Sequence, residues 1–226
     1  MKRLLLIFAL WIPLAAGAQT LGLNAFGTCG YNKVERTYCN AGAVLSWQPS
    51  GSYVLKAGIM GASSREFAAE LSAEFFRPLG KGHLISVEPL VFSNTHVKYS
   101  IEEVSAAVLA GWSWKGRVGV KAGLMFKFIS QMGGNDIITE PWNLAYSIEG
   151  WLFPADRPFN AGASLSTIED FVAERFYCPS LALQCRWAIA RDLILTARLR
   201  QHNSGIFDVA SNWFDTSFRI GVLKLW

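Results

Sequence analysis

From Arg117 to Phe128 every second side chain is oily and those between are polar or small, a two-residue rhythm that recurs through most of the chain. Val118, Val120, Ala122, Leu124, Phe126 and Phe128 alternate with Arg117, Gly119, Lys121, Gly123, Met125 and Lys127, and only Met125 breaks the pattern. Phe214, Thr216, Phe218, Ile220 and Val222 alternate in the same way with Asp215, Ser217, Arg219 and Gly221. So do Leu193, Leu195, Ala197 and Leu199 with Thr196, Arg198 and Arg200, and Phe67, Ala69, Leu71, Ala73 and Phe75 with Glu70, Ser72 and Glu74. A period of two is that of a strand whose faces meet different surroundings, so the rhythm predicts an all-β fold.

The start of the chain reads as an export signal over residues 1–18: Lys2 and Arg3, an apolar stretch from Leu4 to Leu14, and the small residues Ala16-Gly17-Ala18. A single domain over 19–226 follows. Lys2 and Arg3 carry two of the +4 formal charges, which leaves the exported part at +2 with its charges interspersed. A nucleic-acid partner is not expected from that distribution. The chain is 51% hydrophobic and 17% charged, against about 25% charged in an ordinary soluble domain. Yet no apolar run after the signal approaches the roughly 20 residues of a membrane-spanning helix; Ser105 to Trp114 is the richest segment. An exported, oily chain of this kind has two outlets, a soluble secreted β-protein or a transmembrane barrel.

The charged residues favour the barrel. Lys56, Glu70, Glu74, Glu88, Lys121, Glu149, Arg198, Arg200, Asp215 and Arg219 all take the parity opposite the oily positions. In a membrane barrel that parity points them into the lumen, sparing roughly 2–4 kcal/mol for each Arg or Lys otherwise held at mid-bilayer. Connections of two kinds take turns along the chain. Tight turns are expected at Gln48-Pro49-Ser50-Gly51, Gly80-Lys81-Gly82, Lys115-Gly116, Pro154 to Pro158 and Arg191-Asp192. Polar loops are expected at Gly30 to Asn40, Ser63 to Glu66, Asn94 to Lys98, Ser130 to Pro141, Glu169 to Arg175 and Asn203 to Asn212. These connections predict a transmembrane antiparallel up-and-down β-barrel of twelve strands, with ten as the alternative. Aromatic pairs mark the two ends of alternate strands: Tyr38 and Trp47, Phe67 and Phe75, Tyr99 and Trp112, Trp142 and Trp151, Tyr177 and Trp187, Phe214 and Trp226. By parity, Leu152 rather than Trp151 should face lipid.

The segment from Phe218 to Trp226 resembles the carboxy-terminal strand of bacterial outer-membrane β-barrel proteins, with alternate apolar positions and a final aromatic residue; Lys224 stands where an apolar residue is usual. That resemblance implies an outer-membrane location among its lipids, and recognition of the last strand by the barrel-assembly machinery. The function it implies is that of a non-enzymatic barrel: a small porin-like channel, or a structural or surface-interaction protein. A shorter likeness lies at His202-Asn203-Ser204, which is similar to the His-x-Ser motif of outer-membrane lipid A 3-O-deacylases. It implies His202 as base and Ser204 as nucleophile, with Asp215 or Asp208 as acid. A soluble exported β-barrel binding an apolar ligand inside is the third reading.

Four cysteines in an exported chain permit disulfides. Cys29 and Cys39 flank a polar segment and are a candidate pair. Cys178 and Cys185 on one strand would lie roughly 23 Å apart, too far to bridge. His83, His96 and His202 have no metal-ligand spacing, and no phosphate-binding or dinucleotide motif occurs, so no metal or cofactor is expected.

Overall fold

A computed structural model describes residues 20–32, 36–63, 66–97, 100–132, 137–154, 156–173, 176–203 and 213–226. Residues 1–18, expected as an export signal, lie outside them. Twelve strands close into one antiparallel barrel: β1 (Thr20–Asn32), β2 (Arg36–Ser50), β3 (Tyr53–Ala62), β4 (Glu66–Gly80), β5 (His83–His96), β6 (Ile101–Trp114), β7 (Val118–Gln131), β8 (Ile137–Trp151), β9 (Phe159–Ser166), β12 (Ser180–Ala190), β13 (Leu193–Asn203) and β14 (Trp213–Leu225). Two short strands, β10 (Ile168–Glu169) and β11 (Val172–Ala173), form a separate hairpin. Each barrel strand pairs with its neighbour in sequence, β9 with β12 across the hairpin, and β14 returns to β1. Closure leaves no unpaired sheet edge.

The sequence rhythm fixes which way each face looks. On the outer wall Leu71, Val91, Val108, Leu124, Ile148, Leu183, Leu199, Phe218 and Ile220 are exposed, while Glu70, Glu88, Ser105, Lys127, Asp215 and Ser217 are buried inside. That is the inverse of a soluble β-barrel, whose oily face is enclosed. Exposed aromatics ring both ends: Phe67, Trp142 and Tyr177 at one, Phe75, Trp112, Trp187 and Trp226 at the other. Three expected members of these rings differ, Trp47 being half-buried. Tyr38 is buried against Asp215, and Trp151 lies beneath the Arg186 guanidinium, 4.9 Å from its ring centroid. Leu152 is exposed in place of Trp151, as parity requires. Tyr99 lies outside the described residues, as does the side chain of Phe214.

Four tight turns and the longer β8–β9 connection lie at one end, and Leu21 and Trp226 exchange backbone hydrogen bonds at that same end. Lys115 and Gly116 have φ values of 51° and 61°, both positive as a two-residue hairpin turn requires. Lys224, on the outward parity, hydrogen-bonds the Asp192 carboxylate at this end, and that bond holds the Asp192 carboxyl below its usual range.

The opposite end departs from expectation in two ways. Strands run further than the polar composition suggests: β1 continues to Asn32 and β2 begins at Arg36, so Gly30 to Asn32 and Arg36 to Asn40, expected within a loop, are paired strand. Paired backbone groups at that end accept polar side chains on both faces of β1 and β2. The second departure concerns Glu169 to Arg175, expected as an external loop. Its first part folds into the barrel instead, as the β10–β11 hairpin.

Candidate functional site

The β10–β11 hairpin turns at Asp170 and Phe171 and lies across the lumen, fastened to the wall on several sides. Phe171 is fully buried, with its ring centroid 6.0 Å from that of Phe26 and Ala68 beside it. The ring occupies space left by Gly58, where an added Cβ would stand 2.7 Å from the Phe171 ring and 2.9 Å from Cγ of Glu70. The Phe171 backbone has φ of 65°, a left-handed conformation that costs a side chain-bearing residue roughly 1–2 kcal/mol. It is retained because the ring is packed and the Phe171 N–H donates to Glu70 Oε2 at 2.9 Å. On the far side Ile168 packs against Leu90, Phe92, Ala107, Leu109, Met125 and Ala145, an apolar cluster inside the barrel.

Charge fastens the hairpin to the β13–β14 wall. Glu169 accepts from Arg198 at 2.6 Å and from Arg200 at 3.4 Å, and Arg219 reaches Asp170 at 2.8 Å. The Glu169 side chain is only 6% exposed. The Asp170 side chain is 48% exposed and borders the lumenal cavity described below. Its enclosure alone would raise the carboxyl; Arg219, then Arg198 and Lys56, outweigh that and hold it below the usual aspartate range.

The arginines are also held by the wall itself. Arg200 donates to Asp215 Oδ2 at 2.5 Å, and the Tyr38 hydroxyl reaches both Asp215 oxygens at 2.8 and 2.9 Å. Arg219 donates from Nε to Thr28 Oγ1 at 3.1 Å and stands 4.2 Å from the centroid of the Phe26 ring.

Below the hairpin, toward the tight turns, lies a cavity of about 320 Å³. Six of the residues selected by parity line it: Lys56, Glu70, Glu74, Glu88, Lys121 and Glu149, together with Glu169 and Asp170 of the hairpin. Lys121 bridges Glu74 at 2.8 Å and Glu88 at 2.6 Å, and Lys56 lies 3.7 Å from Glu88. The other four, Arg198, Arg200, Asp215 and Arg219, gather on the opposite wall around the hairpin carboxylates. The lumen therefore has an acidic vestibule on one side of the hairpin and an arginine wall on the other.

Sequence reasoning missed the hairpin, its anchoring residues Phe171 and Ile168, and Tyr38 as the lumenal partner of Asp215. A partial signal was present. Leu90, Phe92, Leu109 and Met125 are apolar residues on the charged parity, and they mark where the lumen is filled rather than wet.

For the hydrolytic motif, His202 pairs in register with Asp215 across β13 and β14. The Asp215 carboxylate is engaged by Tyr38 and Arg200, and Ser204 and Asp208 lie outside the described residues. Cys29 and Cys39 are free thiols directly opposite each other on β1 and β2, and Cys178 precedes β12, so it shares no strand with Cys185. Among the described residues no three His, Cys, Asp or Glu side chains cluster as a metal site.

No protein-family model matches the chain, and no curated sequence matches it significantly. Solved structures do. The KdgM porin in complex with disordered oligogalacturonate superposes with a TM-score of 0.58 at 10% identity, over 90% of this chain and 98% of that one. The NanC porin gives 0.56 at 10% identity, over 89% and 98%. An outer-membrane channel from Pseudomonas putida F1 gives 0.56 at 9% identity, over 92% and 95%. At such identities the likeness is one of fold: the chain is a closed twelve-stranded antiparallel barrel of the kind found in bacterial outer membranes.

Proposed function

We propose that this protein is a non-enzymatic channel of the outer membrane, held shut at mid-lumen by the β10–β11 hairpin. The observation that carries this reading is the contrast between wall and plug. The wall is a continuous hydrogen-bonded sheet, whereas the hairpin contributes no strand to it and is fastened by ion pairs, by the Phe171 N–H bond to Glu70 and by the apolar contacts of Phe171 and Ile168. The oily outer face supports insertion in lipid, and the porin folds of KdgM and NanC support conduction. The last strand serves as the handle for the barrel-assembly machinery, a reading supported by its alternate apolar residues and aromatic end.

Planar-bilayer recording in concentrated potassium chloride tests the channel. The wild-type protein is expected to stay closed with rare, brief openings, and a variant with residues 168–173 replaced by a short Gly-Ser linker to conduct steadily. Heat-modifiable migration on a detergent gel establishes that each sample is folded. A folded linker variant that passes no more current than the bare bilayer refutes the reading.

A further inference from the structure

Arg198, Arg200 and Arg219 carry the two carboxylates of the hairpin, and those carboxylates belong to a segment that the barrel does not need for closure. We propose that the three arginines form a binding site for solutes bearing two or more carboxylates, and that Glu169 and Asp170 are its resident, displaceable occupants. The proposal rests on the channel reading above and names the solute class that would open it.

Charge balance is the first argument. With the hairpin docked, the three guanidinium groups face Glu169, Asp170 and Asp215; with it withdrawn, Asp215 is the one carboxylate among the described residues still paired with one of them, and Glu70 on β4 is a further wall carboxylate within electrostatic reach of Arg219. Like charges enclosed together repel strongly where water is scarce, so the hairpin leaves most readily when another polyanion takes its place.

Preorganisation is the second. Arg200 is fixed by Asp215, which Tyr38 holds in turn, and Arg219 by Thr28 and Phe26, all of them on the wall. These anchors keep the guanidinium forks in position when the hairpin departs, which lowers the ordering cost of a new ligand. Unused donor capacity is the third: the Nε atoms of Arg198 and Arg200 are buried and have no hydrogen-bond partner. Guanidinium groups match carboxylates two bonds at a time, and the hairpin leaves part of that capacity idle. Finally, the occupant is itself under strain at Phe171, which biases it toward exchange.

Calorimetric titration of the folded full barrel in detergent, with propane-1,2,3-tricarboxylate as probe and its uncharged trimethyl ester as control, tests the site. The doubly neutralised hairpin variant E169Q/D170N is expected to bind the probe roughly tenfold or more tighter than wild type, because its internal competitor is disarmed. Arg198→Gln with Arg219→Gln is expected to abolish binding in a barrel that still shows heat-modifiable migration. Equal affinity in wild type and E169Q/D170N, binding retained without the two arginines, or equal binding of the ester overturns the proposal. Conductance of the linker variant is scored separately. Steady current without tricarboxylate binding defeats this site and leaves the channel standing; binding as expected without current does the reverse.

Discussion

Replacing Glu169 by Gln probes the charge that fastens the hairpin, because Gln keeps the shape of the side chain and removes only its ionisation. The Glu169 carboxylate is 6% exposed and bonded to Arg198 and Arg200, whose side chains are 21% and 16% exposed. Removing one partner of a buried ion pair typically costs about 3–5 kcal/mol. Both arginine side chains keep some exposure and Arg200 keeps Asp215, so the low end applies, about 3 kcal/mol. At roughly 1.4 kcal/mol per decade this shifts the balance between docked and withdrawn hairpin on the order of a hundredfold. The barrel itself should be indifferent, since the hairpin contributes no strand to it. Single-channel recording at neutral pH reads the effect as open probability, rising from rare events to a substantial fraction of the record. If Glu169→Gln stays as closed as wild type while the linker variant conducts, ion pairing does not hold the hairpin, and the apolar contacts of Phe171 and Ile168 must do so alone.

The same fastening has a pH signature. Because the docked Asp170 carboxyl is held below its ordinary range, its contribution is fully present above that range and is lost as pH falls through the lowered value. In a Glu70→Gln background, which keeps an acceptor for the Phe171 N–H but removes the other carboxyl that titrates against the hairpin, channels should stay closed at pH 5 and open only in stronger acid; opening between pH 7 and 5 would contradict the assignment. Cys29 and Cys39 make a non-hydrogen-bonded pair, since the Cys39 N–H and C=O both bond Ser63 on the other side. Such pairs have Cα atoms about 4.5 Å apart, within disulfide range. Protein exported into an oxidising compartment should then expose two titratable thiols before reduction and four after it; four without reductant would show the bridge unformed. Leu124→Arg places a cation on the lipid face and should weaken insertion into vesicles by roughly 2–4 kcal/mol. Ser147→Arg, on the lumenal parity, should be tolerated, and equal insertion of both variants would upset the inside-out assignment.

The barrel was legible in the sequence because a period of two, repeated over strands such as Val118 to Phe128, leaves each side chain only two places to point. Counting turn formers gave twelve strands for the same reason: a tight turn carries its own chemistry, as Lys115-Gly116 shows. The loop ends were less legible, because polar residues such as Asn32, Thr37 and Asn40 are compatible with both a loop and a strand standing in water. The hairpin was illegible from its own residues. Glu169-Asp170-Phe171 reads like any polar connection with one aromatic, and what draws it inward are partners distant in the chain: Arg198, Arg219, Glu70 and Gly58. The excess of arginine over acid on the β13–β14 wall was the available clue, since three lumenal cations beside Asp215 alone call for anions from elsewhere.

The berth of the Phe171 ring is made by what Gly58 lacks. A single methyl group there would collide with the ring and with Glu70, so whether the pore is stoppered depends on an omission in β3 as much as on any attraction in the stopper. Steric eviction and electrostatic release can consequently be varied one without the other. Related barrels carrying alanine or a larger residue at this place would have to keep their own plugs elsewhere, or go without.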